Sequence, residues 1–128
     1  MARLNKLLWP LVALWLIFGA HMWSNNVLAE LSGEKTDDAK ITTGYGYFRG
    51  IMLITDGSNS VTVDIYDNTS ATGRKLIPTW TVTTSSTNRA QALAFDKEEL
   101  YYYSGIYVDV TTSGTVTYMI YYDPKKSE

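Results

Sequence analysis

The 128-residue sequence has no cysteine and only one histidine, His21. Without cysteine there can be no disulfide framework, thiolate zinc site or cysteine nucleophile. One histidine, placed in a hydrophobic amino-terminal stretch, leaves no base for a serine nucleophile and no histidine acid–base pair. The composition therefore predicts a protein that is not an enzyme, with no catalytic residues, no cofactor and no metal site.

Clustered basic residues are also lacking. Arg3 and Lys6 are the only basic residues before Glu30, so residues 30–128 hold 9 basic and 13 acidic side chains and carry a net charge of −4. The lysines and arginines of this part occur singly or in pairs and form no stripe. Because binding to a phosphate backbone needs clustered Lys and Arg, nucleic acid is not an expected partner.

Two segments with carboxylates are candidates for a site, and neither has the pattern of one. The turn at residues 56–59 (DGSN) lacks the spaced carboxylates and the closing glutamate of a calcium-binding loop. Asp96, Glu98 and Glu99 show nothing that fixes the separation a glycosidase pair requires. Both groups are interpreted as solvated turns.

The longest hydrophobic run lies at the amino terminus. Residues 1–6 are basic, and residues 7–20 form an uncharged, mostly apolar run of 14 residues. A positive flank followed by about 7 to 15 apolar residues is typical of a secretory signal, and the small side chains near Ala29 predict cleavage after it. The apolar side chains behind this prediction are Leu7, Leu8, Trp9, Leu11, Trp15, Leu16, Ile17 and Phe18.

A retained membrane anchor is the alternative for residues 1–29. Extending the run to Trp23 gives 17 residues, near the lower limit of about 17 to 25 for crossing a bilayer, and Trp9 and Trp23 would lie at its two interfaces. Pro10, Gly19 and His21 weaken this interpretation. Both alternatives predict an exported protein that is periplasmic, extracellular or attached to a membrane.

The composition changes twice along the rest of the chain. Residues 30–40 (ELSGEKTDDAK) are polar and predict a linker. From residue 41 the chain is rich in Thr, Val, Ile, Tyr and Gly, and all ten tyrosines lie in this part. We expect a β-sandwich domain over residues 41–123 and a polar tail over residues 124–128.

Two segments show the alternation of half-buried strands. In residues 60–66 (SVTVDIY), Val61, Val63 and Ile65 fall on one face and polar residues on the other, and residues 105–111 (GIYVDVT) repeat the pattern. Such a pattern is typical of antiparallel strands with one face in contact with solvent.

A short turn at residues 112–114 precedes a further strand at residues 115–122, which predicts a hairpin over residues 105–122. About seven strands separated by turns indicate a single antiparallel β-sandwich, jelly-roll or immunoglobulin-like. Because a domain of this size buries a small core, we expect a homo-oligomer. The predicted core consists of Ile51, Leu53, Val61, Val63, Ile65, Leu76, Trp80, Leu93, Phe95, Ile106, Val108, Val110, Val116, Tyr118 and Ile120.

Aromatic residues supply the candidate binding site. Tyr101, Tyr102, Tyr103, Tyr107 and Trp80 could bind a glycan or a protein partner, because exposed tyrosines combine a flat apolar ring with a hydroxyl group. The alternative is structural, since adjacent tyrosines in a strand point to opposite faces and aromatic pairs stabilise sheets.

A recurring combination of strand and turn residues is found in residues 61–73 (VTVDIYDNTSATG), in Leu76 and Ile77, and in residues 105–110 (GIYVDV) and 113–122 (SGTVTYMIYY). Together these segments resemble a small β-sandwich module of tailed-phage structural proteins, and the resemblance covers about residues 45–123. It implies a virion component of the head-decoration, fibre or tail-associated type, with other virion or surface proteins as partners. The sequence thus favours a structural or adhesion module, virion-associated or displayed on a cell surface; an exported carbohydrate-binding domain is the alternative.

Overall fold

The computed structural model describes residues 29–96 and 99–125. The predicted signal or anchor side chains and the last three residues of the predicted tail lie outside these ranges. No segment within them is a helix that could span a membrane. The described residues form nine strands: β1 (Glu30–Leu31), β2 (Ala39–Thr43), β3 (Gly46–Thr55), β4 (Val61–Tyr66), β5 (Trp80–Val82), β6 (Ala90–Ala94), β7 (Leu100–Tyr102), β8 (Gly105–Thr112) and β9 (Val116–Pro124).

The strands form two antiparallel sheets. Sheet A has the order β1-β9-β3-β6. β3 is long enough to pair with two short strands in succession, β7 along its amino-terminal part and β6 along the remainder. Sheet B has the order β2-β8-β4-β5. The two inner faces enclose one hydrophobic core, so the predicted all-β antiparallel sandwich is confirmed.

The core follows the alternation of the strands. Val61, Val63 and Ile65 of β4 are completely buried, whereas the residues between them face outward. Most of the predicted core residues are buried, and Trp80, Leu93, Phe95 and Val110 pack against the core as partly buried residues. Five buried hydrophobic residues were missed: Phe48, Ile77, Val82, Tyr102 and Tyr122.

The predicted hairpin over residues 105–122 is wrong. β8 pairs with β2 and β4 in sheet B, whereas β9 pairs with β1 and β3 in sheet A. The turn between them therefore crosses from one sheet to the other. Alternation cannot distinguish the two arrangements, because a strand turns an apolar face to the core whether its successor lies beside it or across from it.

The predicted linker at residues 30–40 is part of the sandwich. Leu31 is paired with Tyr121, and the Ser32 N–H donates a 3.0 Å hydrogen bond to the Ile120 carbonyl. At the other sheet, Asp38 accepts a 2.7 Å hydrogen bond from the Val110 N–H. Backbone pairing holds this segment and leaves most of its polar side chains exposed, so apolar periodicity could not reveal it.

The carboxyl-terminal boundary also shifts. Pro124, predicted as the first tail residue, belongs to β9, and the Lys125 N–H donates a 2.9 Å hydrogen bond to the Tyr45 carbonyl. Proline has no N–H to donate to a ladder and is therefore found at the edges and ends of strands, and Pro124 is the last residue of β9. The sandwich thus extends to Lys125 at the end of the described chain.

Candidate functional site

The five aromatic residues predicted to bind do not share one surface. Tyr102 is completely buried in the core, so binding through it is excluded. Trp80 is half-buried on β5 and packs against the core at the edge of sheet B. Tyr107 lies on the outer face of sheet B, opposite Tyr66. Of the five, Tyr101 and Tyr103 have their rings in contact.

Four tyrosines form a cluster at one end of the outer face of sheet A. Tyr101 and Tyr103 have ring centroids 4.6 Å apart in an edge-to-face arrangement, and Tyr47 lies 5.0 Å from Tyr101. Tyr45 completes the tyrosine cluster at 6.4 Å from Tyr101. Tyr103 is 67% exposed and Tyr45 36%, so the cluster offers ring surface to a ligand.

The pairing of β3 with β7 builds this cluster. Tyr47 is directly opposite Tyr101, and Tyr103 follows two residues later on the same side of the chain. Tyr45 and Tyr47 were missed by the sequence reasoning, although their spacing of two residues already placed them on one face of a strand. The sequence did not show that this strand lies beside residues 101–103.

Two cations flank the aromatic rings. The Arg74 guanidinium lies 5.4 Å from the centre of the Tyr103 ring, and the Lys125 ammonium lies 5.2 Å from the centre of the Tyr47 ring. Both distances fit cation–π interactions, which reach to about 6 Å. The cluster therefore combines apolar ring faces with positive charge at its rim.

Asp67 positions the exposed end of the cluster. Its Oδ1 accepts hydrogen bonds of 2.7 Å from the Tyr103 N–H and 2.9 Å from the Ser104 N–H, and its Oδ2 accepts a 2.7 Å bond from Arg74. Arg74 also donates a 2.7 Å bond to the Tyr101 carbonyl. Burial alone would raise the pKa of Asp67, but the bonds from Arg74 and the two amides outweigh it, and the pKa is lowered. The carboxylate therefore stays charged and holds Tyr103 in place.

The hydroxyl group at the centre of the cluster stays protonated at neutral pH. Removal of Tyr101 from water, with Tyr45 and Tyr47 close by, raises the pKa of its phenol. A protonated tyrosine hydroxyl both donates and accepts hydrogen bonds. Ring faces for stacking and hydroxyl groups for hydrogen bonding are the features that suit a sugar or a peptide ligand.

The remainder of the outer face of sheet A is apolar. The exception is an ion pair near the tyrosine cluster, in which Arg49 lies 3.2 Å from the Asp123 carboxylate. Ile54 is 50% exposed and Leu31 55%, and Thr117 contributes one hydroxyl group among them. The set that we call the apolar face consists of Leu31, Tyr121, Met119, Met52, Ile54, Ala90, Ala92 and Ala94.

The outer face of sheet B is polar by comparison. Asp64 and Asp109 lie opposite each other on β4 and β8, and Lys75 donates a 2.8 Å hydrogen bond to Asp64. Thr62 and Thr111 form the neighbouring cross-strand pair. This is the usual surface of an antiparallel sheet in contact with water, so the apolar face of sheet A is the exceptional one.

Two of the carboxylates considered above, those of Asp56 and Glu99, accept hydrogen bonds from the protein's own backbone. Asp56 accepts hydrogen bonds from the N–H groups of Ser58, Asn59 and Thr115, which hold its pKa well below the usual range. Glu99 accepts a 3.1 Å bond from the Asp96 N–H, and Glu98 lies outside the described residues. Among residues 29–96 and 99–125, no three His, Cys, Asp or Glu side chains are close enough to hold a metal ion.

No protein-family model matches this chain, and no curated protein matches it. The resemblance to tailed-phage modules stays a prediction. The surface of the sandwich, above all the outer face of sheet A, is therefore the basis for a proposal about function.

Proposed function

We propose that the protein is a non-enzymatic structural or adhesion module: a β-sandwich displayed on a cell surface or a virion that acts through the outer face of sheet A. The observation that carries this proposal is the character of that face, with the apolar face at one end and the tyrosine cluster at the other. Contiguous exposed apolar surface rimmed by polar groups marks interaction sites, because it is unfavourable in contact with water.

Display outside the cytoplasm is supported by residues 1–29. The basic flank and the 14-residue apolar run favour export, as a cleaved signal or as an anchor. The resemblance of residues 45–123 to tailed-phage modules supports the virion form of the proposal. A membrane-attached virion protein or a surface protein encoded by a lysogen would combine both features.

Cell fractionation with intact mass measurement tests the display. The full chain is expressed in a Gram-negative host, and periplasmic, membrane and cytoplasmic fractions are analysed separately. We expect either a soluble periplasmic species that begins at Glu30 or a full-length species in the membrane. Leu11→Arg, which interrupts the apolar run and leaves the sandwich unchanged, is the matched control and should stay in the cytoplasm. A wild-type chain found only in the cytoplasm would overturn the proposal.

A carbohydrate-binding domain is the second candidate, and the tyrosine cluster favours it. Tyr103 exposes 67% of its surface, its backbone is fixed by Asp67 and its ring lies beside Tyr101 and Arg74. A ring held in this way loses little conformational freedom when a ligand stacks on it.

Titration with a panel of polysaccharides, followed by intrinsic fluorescence, tests this candidate. We expect Tyr103→Ala to weaken binding about tenfold, which corresponds to about 1.4 kcal/mol. Tyr107→Ala, on the outer face of sheet B, is the matched control and should bind as the wild type does. A panel without any saturable response, or equal losses in both variants, would count against carbohydrate binding.

A further inference from the structure

The apolar face varies in height from one edge of sheet A to the other. β6 contributes three alanines, whereas Met119 and Tyr121 of β9 and Leu31 of β1 are bulky. Met52 and Ile54 of β3 lie between the two edges. The face is therefore low along β6 and high along β9 and β1.

This relief makes the face complementary to itself. When two copies face each other across a two-fold axis that runs parallel to the strands, β6 of one copy lies over β9 and β1 of the other. Bulky side chains then meet alanines in both halves of the contact, as the close packing of protein interiors requires. A two-fold axis that lies parallel to the sheet but perpendicular to the strands would place alanines over alanines and leave a gap.

Charge and area also fit a second copy. The apolar face carries no charged side chain, and the neighbouring Arg49 and Asp123 neutralise each other, so two copies meet without like-charge repulsion. Strand spacing of about 4.8 Å and a rise of about 3.4 Å per residue give the four strands roughly 400 Å² of projected area. With side-chain relief, two such faces bury on the order of 1,000 to 1,200 Å² in total, close to where specific interfaces begin.

We propose that the apolar face of sheet A is the contact surface between two copies of this chain, related by a two-fold axis parallel to the strands. This deepens the proposed function, on which it rests for the role of the outer face, and it fixes the partner and the geometry. Because this axis preserves strand direction, both tyrosine clusters lie at the same end of the pair. A ligand surface would then be bound by two clusters at once, which raises avidity.

Cysteine cross-linking tests the arrangement, and the absence of cysteine from the chain gives a clean background. Ala92 and Met119 lie on either side of Met52, on the two strands that flank β3. Sheets that pack face to face lie about 10 Å apart, beyond the roughly 7 Å limit for a disulfide, so a bismaleimide reagent that spans this distance joins the cysteines. Each copy carries one cysteine, so no link can form within one chain. The proposed pairing brings Ala92 of one copy over Met119 of the other.

The experiment mixes two purified full-chain variants, A92C and M119C, in equal amounts, adds the bismaleimide and identifies linked peptides by mass spectrometry. The matched control mixes T81C and T111C, whose positions flank Thr62 in the same way on the outer face of sheet B. Circular dichroism verifies that all four variants are folded. We expect 92–119 linked dimers to form at least tenfold faster than any dimer of the control.

Three results would overturn the proposal. Equal rates in the two mixtures would indicate random collision, and no linked dimer would indicate that another part of the chain or another protein covers the face. Predominant 92–92 and 119–119 links would indicate the perpendicular axis. None of these results depends on export or glycan binding, so this proposal and the proposed function can fail separately.

Discussion

Two buried tyrosines differ in how their hydroxyl groups are satisfied. The Tyr118 hydroxyl donates a 2.7 Å hydrogen bond to the Asp37 carbonyl. The Tyr102 hydroxyl is buried and has no hydrogen-bond partner among the described residues. Burial raises the pKa of both phenols, so both hydroxyl groups are neutral throughout the physiological range. Both rings therefore fill the core, but burial of the hydroxyl group lowers the free energy of unfolding more for Tyr102 than for Tyr118.

Replacement of each by phenylalanine should have opposite effects on stability. An unsatisfied buried hydroxyl costs about 1 to 3 kcal/mol, so we expect Tyr102→Phe to raise the free energy of unfolding by about 1 kcal/mol. Tyr118→Phe removes the hydrogen bond to the Asp37 carbonyl and should lower the free energy of unfolding by about 1 kcal/mol. Urea denaturation of both variants measures the difference. Destabilisation of similar size in both would contradict this account of Tyr102.

Asp67 should be important for the shape of the tyrosine cluster. Asp67→Ala removes the acceptor of the Tyr103 and Ser104 amides and the partner of Arg74, so we expect a loss of about 2 kcal/mol in the free energy of unfolding. Near-ultraviolet circular dichroism should also change as Tyr103 is released. Asp67→Asn keeps an acceptor oxygen for the amides and is the control; an equally large change there would mean that the charge, rather than the amide bonds, holds Tyr103.

At the scale of elements, the crossing turn between β8 and β9 is tied to the turn between β3 and β4. Asp56 Oδ2 accepts a 3.1 Å hydrogen bond from the Thr115 N–H, and Ser113 donates a 2.8 Å bond to Asn59 Oδ1. Gly114 lies between these contacts, and a Cβ atom there would collide with the Asp56 carboxylate and the Asn59 amide. The close approach of the two turns thus depends on glycine.

Gly114→Ala should consequently destabilise the protein. We expect a loss of about 2 kcal/mol, because the added methyl group must displace Asp56 from its hydrogen bonds. Thr115→Ala is the control, since it keeps the N–H that bonds Asp56 and changes an exposed side chain. Thermal unfolding of both variants supplies the measurement, and equal midpoints would show that the turns can separate at no cost.

The sequence predicted the elements whose pattern reflects burial. Val61, Val63 and Ile65 alternate because one face of β4 meets the core, and this rule revealed β8 and β9 as well. It did not reveal β1 or β2, which are held by backbone pairing with few buried side chains. Nor could it show which sheet β9 joins, since alternation is the same in both. Two members of the tyrosine cluster, Tyr101 and Tyr103, were predicted from the sequence. The other two, Tyr45 and Tyr47, were not, because the register of β3 and β7 brings them to Tyr101, and register is a property of the fold.

At the scale of the whole molecule, the carboxylates should make stability depend on pH. For Asp64, burial raises the pKa, but hydrogen bonds from Lys75 and Thr79 outweigh it, so the pKa is lowered, as it is for Asp56 and Asp67. A group with a lower pKa in the folded state contributes stability that is present above its unfolded pKa, about 3.9, and is lost as the pH falls through the folded pKa. We therefore expect the urea midpoint to decrease from pH 5 towards pH 2. An unchanged midpoint would contradict these contacts.

Asp109 should act in the opposite direction. Burial, with Asp38 and Asp64 nearby, raises the pKa of Asp109, and like charges directly opposite each other on adjacent strands are destabilising. A raised pKa means that the folded state binds the proton more tightly, so stability is lost as the pH rises through that pKa. Asp109→Asn removes this cost, and we expect it to raise the free energy of unfolding at pH 7 by up to about 1 kcal/mol. The gain should disappear at pH 3, where the wild-type carboxyl is protonated, so urea denaturation at the two pH values separates loss of charge from a change in packing.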